Sequence, residues 1–72
     1  ETHWLIVPKK HIPSLTVLSE EDIPILLELF DVIKTLSAKM AQEFSGARIL
    51  TNLGVYQDSK HLHFHINSGQ PL

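Results

Sequence analysis

The stretch His61-Leu62-His63-Phe64-His65-Ile66-Asn67 sets a histidine against an apolar residue three times in succession. Side chains of an extended chain point alternately to opposite faces, so this pattern predicts a strand over 61–67. Three imidazoles share one face; Leu62, Phe64 and Ile66 share the other. The apolar side is suited to pack on a helix, which leaves the histidine side facing a cleft or solvent. Twice the strand rise puts neighbouring imidazoles about 7 Å apart along the strand, a spacing that suits several groups converging on one tetrahedral anion. Two other readings stay open at this point. One is a fortuitous alternation on a solvated face. The other is a metal site, because HxH on a strand also suits coordination; a hydrolytic metal would want a further carboxylate or histidine, for which Asp58 and His3 are available.

Working outward, Arg48-Ile49-Leu50-Thr51-Asn52-Leu53 reads as a second strand and Gly54 to Lys60 as a polar loop. Ser68-Gly69-Gln70-Pro71 closes the histidine strand as a turn. Near the start, His3-Trp4-Leu5-Ile6-Val7 is short, aromatic and β-branched, and Pro8 stops it before Lys9-Lys10-His11. His3, Leu5 and Val7 share one face of that strand, Trp4 and Ile6 the other. Between them lies one long helical pattern, opened by Ser19-Glu20-Glu21-Asp22, a serine cap with three acids that complement the helix dipole. Pro24 predicts either an irregular first turn or a regular helix that begins near Ile23. Leu26, Leu29, Phe30, Ile33, Leu36, Met40 and Phe44 then form a wide apolar stripe, read as core, ending near Ser45-Gly46. One helix and three strands predict an α+β fold, an antiparallel sheet with the helix on one face.

The chain has 72 residues, 43% hydrophobic and 19% charged, with a net charge of −2 and no cysteine. A single domain of this size buries only about 60% of the surface its unfolded chain exposes, and neither disulfides nor thiolate zinc sites are there to add stability. A partner subunit, expected in a symmetric homodimer, or a missing stretch of chain is the expected source. The charge gives no footprint for duplex nucleic acid, no segment reaches the length of a membrane span, and the first residues lack the pattern of a signal peptide. A cytoplasmic location is expected.

The triad strand, together with His3-Trp4-Leu5-Ile6-Val7-Pro8-Lys9-Lys10-His11 ahead of the helix and with Asn52 and Gln57 before the triad, resembles the histidine-triad (HIT) family. The order of strand, helix, strand and triad strand agrees over residues 1–72, which are read as one HIT-like domain that starts after the family's N-terminal helix and two strands. The resemblance implies an enzyme, a nucleotide hydrolase or nucleotidyl transferase. It acts at the α-phosphate of a nucleoside phosphoramidate or dinucleoside polyphosphate, so the expected partner is a purine nucleotide or nucleotide conjugate. His63 would be the nucleophile and form a labile nucleotidyl-histidine. His65 would hydrogen-bond the phosphate and His61 orient or polarise the centre, with His3 in support from the neighbouring strand. Asn52 would contact the phosphate and Gln57 sit near the bridging or leaving oxygen. No cofactor or metal is implied, because aimed donors stabilise the charge.

The chain departs from the family pattern in its short loop between Asn52 and His61. Asp58 stands where the phosphoramidase branch keeps a phosphate-contacting serine. A carboxylate about 4 Å from phosphate charge costs on the order of 4 kcal/mol at an effective dielectric near 20, so Asp58 does not simply replace the serine; the open readings are that it points away, that it orients a histidine, that it yields the phosphate contact to Ser59, or that it is a solvated loop acid. In members with an N-terminal cysteine pair, the equivalent of His11 helps to hold a structural zinc. With no cysteine here, His11 and the Lys9-Lys10 step are read as solvated loop residues. The rival classes are a phosphate-binding or dimerisation module without turnover, and a metal-binding protein.

Overall fold

The computed structural model describes residues 2–57 and 59–68. Strand β1 (His3–Ile6), helix α1 (Ile23–Phe44), strand β2 (Arg48–Leu50) and strand β3 (Phe64–Asn67) follow in chain order. The strands form an antiparallel sheet in the order β1-β3-β2, so the histidine strand is central. It pairs from His3↔Asn67 to Ile6↔Phe64 on one side and from Arg48↔Asn67 to Leu50↔His65 on the other. The α+β reading holds, with the helix laid on one face.

The apolar half of the alternation makes that packing. Leu62, Phe64 and Ile66 are buried with Ile12 and with Leu29, Ile33 and Met40 of α1, and Trp4 and Ile6 pack against the cluster from β1. Burying one such side chain fully is worth about 1.5–3 kcal/mol. Residues 61–66 alternate half-buried and buried, histidine by histidine, so the imidazoles stand on the side away from the helix. The stripe on α1 is narrower than the sequence predicts. Phe30 and Phe44 remain 45% and 46% exposed; Phe30 meets Phe64 edge to face at 5.9 Å, whereas Phe44 lies in the last turn of α1 and lines an open cavity of about 340 Å³ with Arg48 and Asn67.

The helix entry follows from its residues. Glu20–Asp22 form a 3-10 turn and α1 starts at Ile23, so both expectations raised by Pro24 hold together: the first turn is irregular, and proline falls in the opening turn, where it is tolerated. The Asp22 carboxylate accepts from Ser19 N at 3.1 Å, Ser19 Oγ at 3.2 Å and Lys10 Nζ at 2.6 Å. At the far end Ser45 takes the left-handed conformation (φ 71°) that ends the helix, one residue before Gly46.

All three strands are shorter than their sequence patterns, β1 by one residue, ending at Ile6 and not Val7. β2 stops at Leu50, not Leu53, and β3 begins at Phe64, not His61. The two facts have one cause. Pairing on either side of β3 ends at Leu50↔His65 and Ile6↔Phe64, so the chain before Phe64 has no neighbouring strand to join. The loop after Asn52 also contains a 3-10 turn, Gly54–Tyr56, and a further one, Leu15–Val17, precedes the helix. Asp58 and residues 69–71 of the expected terminal turn lie outside the described residues.

Candidate active site

All five histidines of the chain gather along one edge of the sheet's open face. His65 lies on β3, while His61 and His63 stand on the extended segment leading into it. In an antiparallel pair, residues on diagonal positions of one face reach each other. Leu5 is opposite His65, and His3, two residues back, reaches across: its Nε2 is 2.8 Å from His65 Nδ1, with the rings stacked at 5.0 Å and 29°. His63 meets His65 edge to face, also at 5.0 Å. The His63 and His65 rings are therefore closer than the 7 Å expected from strand rise; His65 is held in the ladder, while His63 stands on the segment before it.

Hydrogen bonds to carbonyls fix two tautomers, since a carbonyl oxygen only accepts. His63 Nδ1 donates to the His61 carbonyl at 2.7 Å, which leaves the lone pair on His63 Nε2. His61 Nε2 donates to the Pro8 carbonyl at 3.2 Å, and its ring packs edge to face on His11 at 4.9 Å.

The segment between β1 and α1 braces this arrangement from behind. Besides the Pro8 contact, Leu62 N donates to the Ile12 carbonyl at 2.5 Å and Gln57 Nε2 to the Pro13 carbonyl at 2.6 Å. Lys10 is tied to the helix entry by Asp22. Their hydrogen bond holds the Asp22 carboxyl below its ordinary range, helped by Ser19 N, and holds the Lys10 ammonium above its own. Lys10 is thus tied to the scaffold, although it is exposed like Lys9.

The other expected phosphate contacts are placed unequally. Asn52 is half-buried just beyond β2, and Ser59 is exposed in the loop that leads to His61. Gln57 is buried with its amide nitrogen on Pro13, so it anchors its loop. Sequence reasoning missed Thr51, whose hydroxyl donates to the His63 carbonyl at 2.6 Å; the signal was a hydroxyl residue at a strand end, one position before Asn52. It also missed the carbonyls of Pro8, Ile12 and Pro13, which carry no side-chain signal. Among the described residues no group of three or more His, Asp or Glu is disposed to hold a metal ion, and no helix is long and apolar enough to cross a membrane.

A family model described as "Scavenger mRNA decapping enzyme C-term binding" matches residues 1–70. An "Uncharacterized HIT-like protein" of Chlamydia muridarum (strain MoPn / Nigg) is 35% identical over 69 residues, 93% of this chain and 54% of that protein. Among solved structures, a HIT family hydrolase from Legionella pneumophila Philadelphia 1 superposes with a TM-score of 0.82 at 29% identity, over 97% of this chain and 64% of that one. A histidine triad protein from Clostridium difficile gives 0.77 at 35% identity, over 97% and 63%. The chain therefore spans between about half and two thirds of the length of these relatives.

Proposed function

Since the chain belongs to the histidine-triad family, we propose that it is a nucleotide hydrolase or nucleotidyl transferase acting at the α-phosphate of a nucleoside phosphoramidate or dinucleoside polyphosphate. The observation that carries this reading is the 2.7 Å bond from His63 Nδ1 to the His61 carbonyl. It leaves the nucleophilic nitrogen as Nε2, on the one imidazole that stands between its two triad neighbours. The Nε2 lone pair forms a bond to the α-phosphorus while the bond to the leaving amine or polyphosphate oxygen breaks. Its electron pair departs with the leaving group, which takes up a proton. Water then attacks phosphorus, breaks the P–N bond and restores the free imidazole.

His65, held by His3, donates to a non-bridging phosphate oxygen, and His61 orients His63 through its carbonyl. Asn52 and Ser59 supply further phosphate contacts, and Gln57 serves the leaving-group side through the loop it anchors. The nucleotide is a purine nucleotide or conjugate. The protein works as a homodimer in the cytoplasm; the exposure of Leu5, Leu27, Phe30 and Val32 supports an associated state, because apolar surface of this kind favours burial against a partner.

The test is hydrolysis of adenosine phosphoramidate, with the adenylylated protein trapped in acid-free conditions and weighed intact. His63→Ala is expected to lose turnover by at least about 10³-fold, form no adduct and still bind nucleotide. Full activity in His63→Ala, or turnover that requires added zinc and shows no adduct, overturns the mechanism. Nucleotide binding without turnover in the unaltered protein favours a second reading, a phosphate-binding module.

A further inference from the structure

Backbone pairing between β2 and β3 ends at Leu50↔His65. Immediately beyond it, the Thr51 hydroxyl donates to the His63 carbonyl at 2.6 Å, so a side chain continues the connection where the ladder stops. That carbonyl belongs to the peptide unit joining His63 to Phe64. The Phe64 side of the unit is fixed by burial of its ring in the core. On the His63 side, the imidazole is tied by its own Nδ1 to the His61 carbonyl. Thr51 thus holds the carbonyl end of the residue that carries the His63 ring.

We infer that Thr51 is a positioning residue for His63, setting the direction of His63 Nε2 through the 63–64 peptide; the inference rests on the reading of His63 as nucleophile. Without the hydroxyl, the peptide unit can rock about its Phe64 end and carry the ring off the line of attack. Misplacement of a reacting atom by about 1 Å is enough to cost 10²-fold in rate, so partial freedom here has a measurable effect. Thr51 reaches the site through a carbonyl and donates nothing to the substrate, so its loss acts on the rate of attack and leaves affinity nearly unchanged.

Thr51→Val keeps the shape and β-branching and removes only the hydroxyl; Thr51→Ser keeps the hydroxyl. In the full-length protein with adenosine phosphoramidate, Thr51→Val is expected to lower kcat about tenfold with KM within about threefold, and Thr51→Ser to retain most of kcat. The second readout is independent of turnover: ¹⁵N spectra of the histidine rings in the unliganded protein. Thr51→Val is expected to broaden or shift the His63 ring resonances and speed exchange of its Nδ1 proton, with Thr51→Ser close to the original. Unchanged kcat and His63 resonances in Thr51→Val overturn the inference, as does Thr51→Ser behaving like Thr51→Val. If Thr51→Val also lowers the melting midpoint, the serine variant decides, since it restores the hydroxyl. If the unaltered protein has no turnover, the nucleophile reading fails on that result, and the ring spectra still decide whether Thr51 holds His63.

Discussion

His3 Nε2 and His65 Nδ1 stand 2.8 Å apart, and two imidazole nitrogens come this close only by sharing one hydrogen between them. One ring donates and the other accepts, so the orientation of each depends on the other. If His65 works on the phosphate, His3 acts by holding it. His3→Ala is then expected to lower kcat/KM about tenfold, and His3→Gln, whose amide can also meet a ring nitrogen, to recover part of the loss. Steady-state kinetics on the two variants checks this; activity untouched by His3→Ala contradicts it.

The Lys10–Asp22 pair predicts how stability varies with pH. Asp22 has its folded carboxyl value lowered by Lys10 and Ser19, so its contribution is complete above the ordinary carboxylate range and lost as pH falls through the lowered value. Lys10 has its folded value raised by Asp22, so its contribution is complete below the ordinary lysine range and lost as pH rises through the raised value. Thermal midpoints should therefore hold level between these limits and fall at both ends. Asp22→Asn should flatten the part of each limb that belongs to this pair, measured by circular dichroism across pH.

Gln57 is buried and its amide nitrogen bonds the Pro13 carbonyl at 2.6 Å. Gln57→Leu leaves that carbonyl without its donor and is expected to destabilise the fold by about 1–3 kcal/mol, read from urea denaturation. If Gln57 also serves the leaving-group side, turnover falls further than in Thr16→Ala, a substitution at an exposed position. A Gln57→Leu variant as stable as the unaltered protein refutes its anchoring role.

Much of this was legible in the order of residues. Leu62, Phe64 and Ile66 declare one face and the histidines the other, because a period of two has only one reading on a sheet. Ser19 and Asp22 mark the helix entry, because caps act over three or four residues. The stretch 61–63 has the alternation of a strand because that pattern is local, yet strand requires a neighbour, and β1 and β2 end too soon to supply one. Phe30 and Phe44 fall on the apolar stripe because a helical period shows which side is apolar, while its buried width depends on what lies across from it. Thr51, Pro8, Ile12 and Pro13 were out of reach for the same reason: their contacts join segments far apart in the chain.

The pairing of His3 with His65 spans 62 positions of the sequence. Closing so long a loop costs entropy that is recovered only when the last strand is in place. During synthesis β1 leaves the ribosome before β3, the strand it pairs with here, and α1 lies between them. The exposed Leu5 of β1 then stands on an open edge in a growing chain. The imidazole cluster is consequently among the last things the polypeptide assembles: a product stalled before residue 64 would hold the whole of α1 and His63, and lack the strand that brings His3, His63 and His65 together.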